Sequence, residues 1–245
     1  MASNKKNNHK KKTQAPAKKA EKQSSNLLVI ALVCVGVIAA LLAGGKLITA
    51  LTSGNGDPTP SGATPAYITT ADLDPNLIYY ADIEMENYGT ITVQLDQKAA
   101  PVTASNFVKL AQSGFYNGLT FHRIIDRFMM QGGCPEGTGN GGSDNKIYGE
   151  FAENGYDNPL SHTRGTISMA RSNNYNSARS QFFIVHQNYT GLDGKYAAFG
   201  HVIEGMDIVD AICGSARPID SNGRIAAEDQ PVITSITIRT VPAAQ

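Results

Sequence analysis

The sequence has no C-x-x-C pair among its three cysteines, Cys34, Cys134 and Cys213, and no histidine cluster at ligand spacing. A metal centre built from such ligands has no support, and none is expected. There is no G-x-S-x-G elbow, and five scattered histidines produce the Ser161-His162 adjacency by chance, so a serine hydrolase is not indicated. Tryptophan is absent. Charge is absent from Leu27 to Gly45, and the region after Lys46 carries 12 Lys/Arg against 20 Asp/Glu, which offers no footprint for nucleic acid. The formal net charge of zero hides this segregation, because residues 1–26 hold eight lysines and one glutamate.

The uncharged run Leu27 to Gly45 is apolar all round. At ~1.5 Å per residue it would make a helix ~28 Å long, close to the hydrocarbon thickness of a bilayer. The spacing predicts a transmembrane anchor over 27–51. The lysines on its N-terminal side predict a cytoplasmic N-terminus and an extracytoplasmic region after Lys46. A cleaved signal peptide, which would leave a secreted protein, has a shorter charged region and a shorter apolar core, so a retained single-pass anchor fits better. Residues 1–26, rich in Lys, Asn, Gln and Ser, are expected to be disordered. Residues 52–66, TSGNGDPTPSGATPA, read as a flexible linker. A folded domain then spans 67–245, with its core at about 77–240. Cys134 and Cys213 could pair outside the membrane, but one falls at a pocket and one at a helix end, which favours free thiols.

Within the domain, residues 79–85 and 90–95 alternate as two strands around an Asn87-Tyr88-Gly89 turn. Pro101 to Gln112 reads as a helix, with proline in its first turn and Gly114 after its end. Short strands are expected at 166–170, 181–185, 197–202 and 232–239, and a second helix at 206–213. Many short strands with only two helices predict a mainly β fold, an antiparallel barrel.

The chemically informative stretch is Phe121 to Gly133, FHRIIDRFMMQGG. Residues two apart on a strand share a face, so Met129 and Gln131 point the same way. The expected product is a shallow apolar pocket with a fixed cation, Arg123, and an amide, Gln131, at its rim. Such a site has no nucleophile, no metal cluster and no acid/base pair, which suits a reaction that makes and breaks no covalent bond. Gly137, Gly139 and Gly142 match G-x-G-x-x-G, but no helical period follows them, so a dinucleotide-binding turn is rejected. Asn188-Tyr189-Thr190 is a glycosylation sequon, relevant only in a host that glycosylates exported proteins.

FHRIIDRFMMQGG, GTISMARS, SQFFIV and LDGKYAAFGHVIEGMDIV together resemble the cyclophilin-type peptidyl-prolyl cis–trans isomerases, in family order and at family-like spacing. The resemblance implies a closed eight-stranded antiparallel β-barrel capped by two helices. It implies that Arg123 is catalytic with Gln131 as the polar contact beside it, and that Phe128, Met129, Phe183 and Leu192 line a proline pocket. It further implies an edge strand, Ala170 and Arg171, that meets the peptide backbone, with Gln181 a further polar residue and Tyr196 in the opposite wall. The partners implied are proline-containing segments of unfolded or exported proteins. No cofactor is implied, and a monomer is expected. A non-catalytic proline-binding module or holdase is the alternative reading. The chain departs from the best-known members at Gly191, where they carry tryptophan, and at Tyr196, where they carry histidine. The first change implies weak affinity for the inhibitor cyclosporin, because an aromatic wall with an indole N–H is missing. Arg171 stands where asparagine is usual, which suggests a preference for acidic residues in the peptide. Cys134 stands where aspartate is common, and nothing in the sequence explains that change.

Overall fold

A computed structural model of the chain describes Met1 and residues 67–244. The expected Lys-rich tail, the transmembrane anchor and the linker lie outside the described residues. Among the described residues, no helix is long and apolar enough to cross a membrane.

Eight strands, β1 (Leu77–Met85), β2 (Gly89–Leu95), β3 (Thr120–Ile125), β4 (Met129–Cys134), β5 (Thr166–Met169), β6 (Phe182–Val185), β7 (Ala198–Glu204) and β8 (Ile233–Pro242), form one curled sheet. Two helices, α1 (Pro101–Gln112) and α2 (Met206–Ser215), accompany it. The strand order is β3-β4-β6-β5-β7-β2-β1-β8, and every pairing is antiparallel. The period-2 pattern explains the first hairpin. Ala81, Ile83 and Met85 face inward and oppose Val93, Ile91 and Gly89 across the ladder.

The inner face closes on α1. Phe107, fully buried, meets the rings of Tyr116, Phe182 and Phe199 with centroids 5.2, 5.4 and 5.2 Å away. Pro101 starts the helix, and no side chain at its N-cap position serves the first amides. Glu150 does so from a distant loop, its carboxylate accepting from Val102 N at 2.9 Å and Thr103 N at 2.8 Å. Both orphan donors of the first turn are thereby satisfied.

The closed barrel expected from the sequence is not what forms. The sheet ends at β3 and β8, which meet only at an isolated bridge, Thr120–Val232, flanked by Phe121 N to Pro231 O and Ile233 N to Leu119 O. Beyond that point the outer edge of β3 is taken by the loop before β8. Ile124 N donates to Gly223 O at 2.8 Å, and Ile225 N to His122 O at 3.0 Å. With those groups occupied, a β3–β8 ladder cannot continue, and the sheet stays an open curl.

Candidate active site

The stretch from Phe121 to Gly133 is a hairpin, not one strand. Asp126-Arg127-Phe128 turns it, with Arg127 at φ 60°. The register slips at His122, so that Phe121 faces Gly132 while Arg123 faces Gln131. Strict alternation would put residues 121, 123 and 125 on one face. The bulge breaks that phase. Phe121 and Ile124 enter the main core, while Ile125 joins a separate apolar cluster outside it and Arg123 stands beside that cluster. His122, the extra residue, is 3% exposed.

That second cluster is built by alternation on β4 and β6. Met130, Phe182 and Ile184 point into the core, while Met129, Phe183 and Val185 point out and pack with Ile125, Phe128, Ala170, Leu192 and Tyr196. Six residues expected from the sequence, Phe128, Met129, Ala170, Phe183, Leu192 and Tyr196, thus meet in one place. Tyr196 lies edge-on to Phe183 with centroids 5.8 Å apart.

The polar rim is a chain of hydrogen bonds. Arg123 donates from Nε to Asn222 O at 2.7 Å and from Nη1 to Gln131 Oε1 at 3.3 Å, with Met129 Sδ 3.5 Å from the same nitrogen. Gln131 Nε2 donates to Gln181 Oε1 at 2.9 Å. Gln181 Nε2 in turn donates to Gly139 O at 2.8 Å and Gly141 O at 2.7 Å. The Gly-rich stretch is therefore a loop that orients Gln181, with no helix opening behind it. This arrangement leaves one planar cation fixed against an apolar surface.

The edge-strand expectation needs correcting in place. β5 pairs with both β6 and β7, so it is interior. Ala170 and Arg171 lie just past its end, with Ala170 N donating to Gln181 O at 2.9 Å. Arg171 also does not reach outward with its fork. Nε and Nη2 donate to Lys195 O at 2.9 and 2.8 Å, Nη1 donates to Ser172 O at 3.0 Å, and its guanidinium carbon sits 4.7 to 4.9 Å from the ring centres of Tyr196, Phe151 and Tyr175. Arg171 clamps Tyr196 into the wall.

Sequence reasoning missed three supporting residues. His162 is fully buried, stacks on Phe183 (5.9 Å, 17°), donates from Nδ1 to Asp193 Oδ1 at 2.8 Å and accepts at Nε2 from Ser168 at 3.0 Å. Burial pushes its pKa down against the opposing pull of Asp193, keeping the ring neutral. Ser168, His162 and Asp193 line up as nucleophile, base and acid would, but Ser168 has no exposed surface on which to meet a substrate. The row instead fixes Asp193 and so the turn carrying Leu192. His186 fixes the hairpin turn: its N donates to Phe128 O at 2.8 Å, Nδ1 accepts from Arg127 N at 3.0 Å, and Nε2 donates to Asp210 at 3.0 Å. Tyr189 packs on Phe128 with centroids 4.9 Å apart. Only its aromatic character could have flagged it. Cys134 and Cys213 are both free and buried.

Comparison with known proteins converges on one group. The family model described as cyclophilin type peptidyl-prolyl cis-trans isomerase/CLD matches residues 80–241. A peptidyl-prolyl cis-trans isomerase of Helicobacter pylori is 46% identical over 135 residues, 54% of this chain and 80% of that protein. Peptidyl-prolyl cis-trans isomerase B of Bacillus subtilis is 45% identical over 123 residues, 50% of this chain and 82% of that one. A crystal structure of a Cryptosporidium parvum cyclophilin type peptidyl-prolyl cis-trans isomerase, determined in the presence of the dipeptide Ala-Pro, is similar with a TM-score of 0.58 and 30% identity. The similarity covers 65% of this chain and 98% of that one.

Proposed function

This chain belongs to the cyclophilin-type peptidyl-prolyl cis–trans isomerases, and we propose that it turns X-Pro bonds by gripping proline in the outer apolar cluster while Arg123 stabilises the twisted amide. The observation that carries this reading is the guanidinium held 3.5 Å from Met129 Sδ, at the edge of the cluster. Rotation about the bond must break amide resonance, a barrier of ~18–20 kcal/mol. As the bond twists, the proline nitrogen becomes pyramidal and gains hydrogen-bond acceptor character. A donor that is favoured more in the twisted than in the planar state lowers the barrier. Arginine suits the task because it stays protonated and its fork is rigid. Phe183, Met129 and Leu192 fix the pyrrolidine ring, exclude water and leave the other side of the bond free to turn.

We further propose that the enzyme works outside the cytoplasm on exported polypeptides, tethered through residues 27–51. The uncharged apolar run and the lysines before it support this reading. A protease-coupled prolyl assay on the full chain in detergent tests catalysis. Binding of proline peptides without turnover would instead support the holdase. Alkaline extraction of membranes tests the tether; release of the chain into the wash would refute it.

Cyclosporin is expected to bind poorly, and Gly191→Trp to improve its affinity by about tenfold, the worth of one well-placed aromatic contact. A Cβ at Gly191 would lie 3.1 Å from Cε1 of Tyr189, so the new indole must displace that half-exposed ring. Isothermal titration reads the change. Nanomolar inhibition of the unmodified enzyme would overturn this expectation.

A further inference from the structure

The turn that carries Phe128 into the apolar cluster is strained and is held from outside itself. Arg127 sits at φ 60°, and Asn87 is the other non-glycine residue with positive φ among the described residues. Asparagine tolerates that backbone; a long side chain such as arginine does not favour it. What holds it is a hydrogen bond from Arg127 N to His186 Nδ1 at 3.0 Å. His186 reaches the turn from just past β6, and its own N donates to Phe128 O at 2.8 Å. Several charged or titratable groups surround its ring. Asp126, on the turn, has Oδ1 3.4 Å from Nδ1, and the largely exposed Arg127 guanidinium has Nε 3.9 Å from the same carboxylate. Asp210, on α2, accepts from Nε2 at 3.0 Å. Arg164 keeps Asp210 ionised, donating to its two oxygens at 2.7 and 2.8 Å, and also donates to His186 O at 2.9 Å. Cys213, on the same helix, stays a neutral thiol because burial pushes its pKa up to about 12.

We propose that His186 is a positioning residue for proline binding, and that its protonation releases the Arg127 turn and loosens the grip of Phe128. The proposal rests on the proline pocket assigned above. Nδ1 accepts from Arg127 N only while it carries no proton. Protonation turns that acceptor into a donor and sets two N–H groups against each other. It also gives Nδ1–H a carboxylate to turn to, Asp126 at 3.4 Å. Nε2 keeps its bond to Asp210 in either state, so the ring stays and the amide contact is what goes. Without that contact nothing offsets the backbone at Arg127, and the turn relaxes with Phe128 at its end. Histidine is the side chain suited to change charge between pH 5 and 8, so the grip weakens as the surroundings acidify. Arg123 bonds to Asn222 O and Gln131 Oε1, away from the turn, and keeps its place.

The test measures Kd, KM and kcat of the full chain in detergent from pH 8 to pH 5.5, with an X-Pro peptide free of titrating side chains. Kd and KM are expected to rise about tenfold on acidification, the effect of one hydrogen bond lost with its donor left unpaired, while kcat changes less than about threefold. His186→Asn keeps an acceptor near the place of Nδ1 and has no proton to gain, so its Kd is expected to stay level across the range. Arg127→Gly is the second variant, because glycine adopts φ 60° without help. His186 still titrates there, but the rise in Kd is expected to shrink to within about threefold. Should His186→Asn fail to fold, Arg127→Gly alone decides. A level Kd in the unmodified protein would overturn the proposal, as would a full rise that persists in either variant. Absence of turnover at every pH, with the Kd pattern intact, would count against the isomerase reading and in favour of the positioning role.

Discussion

Arg123→Ala is expected to lower kcat/KM for an X-Pro peptide by ~10²–10³-fold, the range seen when one preorganised donor is removed from a transition state. The loss should fall on kcat, with KM little changed, because the apolar grip of Phe128, Met129, Phe183 and Leu192 is untouched. Thermal unfolding should shift little. Arg123 sits part-buried on the rim, outside the main core, and bonds through Nε to the carbonyl of Asn222 in a turn. Arg123→Lys separates charge from shape: a lysine keeps the cation but cannot donate to Asn222 O and Gln131 Oε1 from one rigid plane, so an intermediate rate is expected. Retention of activity within about threefold by Arg123→Ala would remove the guanidinium from the mechanism, since a loss that small is below a single charge-assisted hydrogen bond.

What could be read from the sequence follows from how local each signal is. Ile91, Val93 and Leu95 alternate within a few residues, and Pro101, Phe107 and Leu110 mark a helix within its own length, so both elements form as expected. The hairpin turn was not legible, because Asp126-Arg127-Phe128 contains no Gly, Pro or Asn. Arg127 takes φ 60° there because its amide bonds to the ring of His186, 59 positions away. The bulge at His122 was equally hidden, although it decides which side chains of β3 face the core and which face the site. Closure failed as an expectation for the same reason: only the folded chain brings Gly223 against the edge of β3. In the site, apolar wall residues follow from strand alternation plus family resemblance. Polar supports such as His162–Asp193 and His186–Asp210 join residues 31 and 24 positions apart with no pattern between them.

The bulge that places Arg123 also makes the fold acid-sensitive. His122 is the inserted residue, neither of its ring nitrogens has a hydrogen-bond partner among the described residues, and its Nε2 lies against Gly139. Burial first, and the adjacent Arg123 charge second, push its pKa down to about 4. Its unfolded value is ~6.5. A histidine whose folded pKa lies below its unfolded one stabilises the native state fully above the unfolded value. That stability is lost as pH falls through ~6.5 toward the folded value, because the unfolded chain takes up the proton first. The gap corresponds to about 3 kcal/mol lost between pH 7 and pH 4. His162 and His201, also pushed down by burial, act with the same sign. Asp72, Asp82, Asp193 and Asp210, all held below the ordinary carboxylate range, lose their stabilising contribution only at still lower pH, as they become protonated. Replacing His122 by methionine removes the titrating group while keeping an apolar side chain of similar volume. Urea unfolding of both proteins at pH 7, 6, 5 and 4 is expected to show their stabilities diverging below pH 6.5, with the variant favoured by about 3 kcal/mol at pH 4 relative to their difference at pH 7. Parallel curves would mean that His122 finds a proton acceptor in the folded state and that its burial costs nothing on acidification.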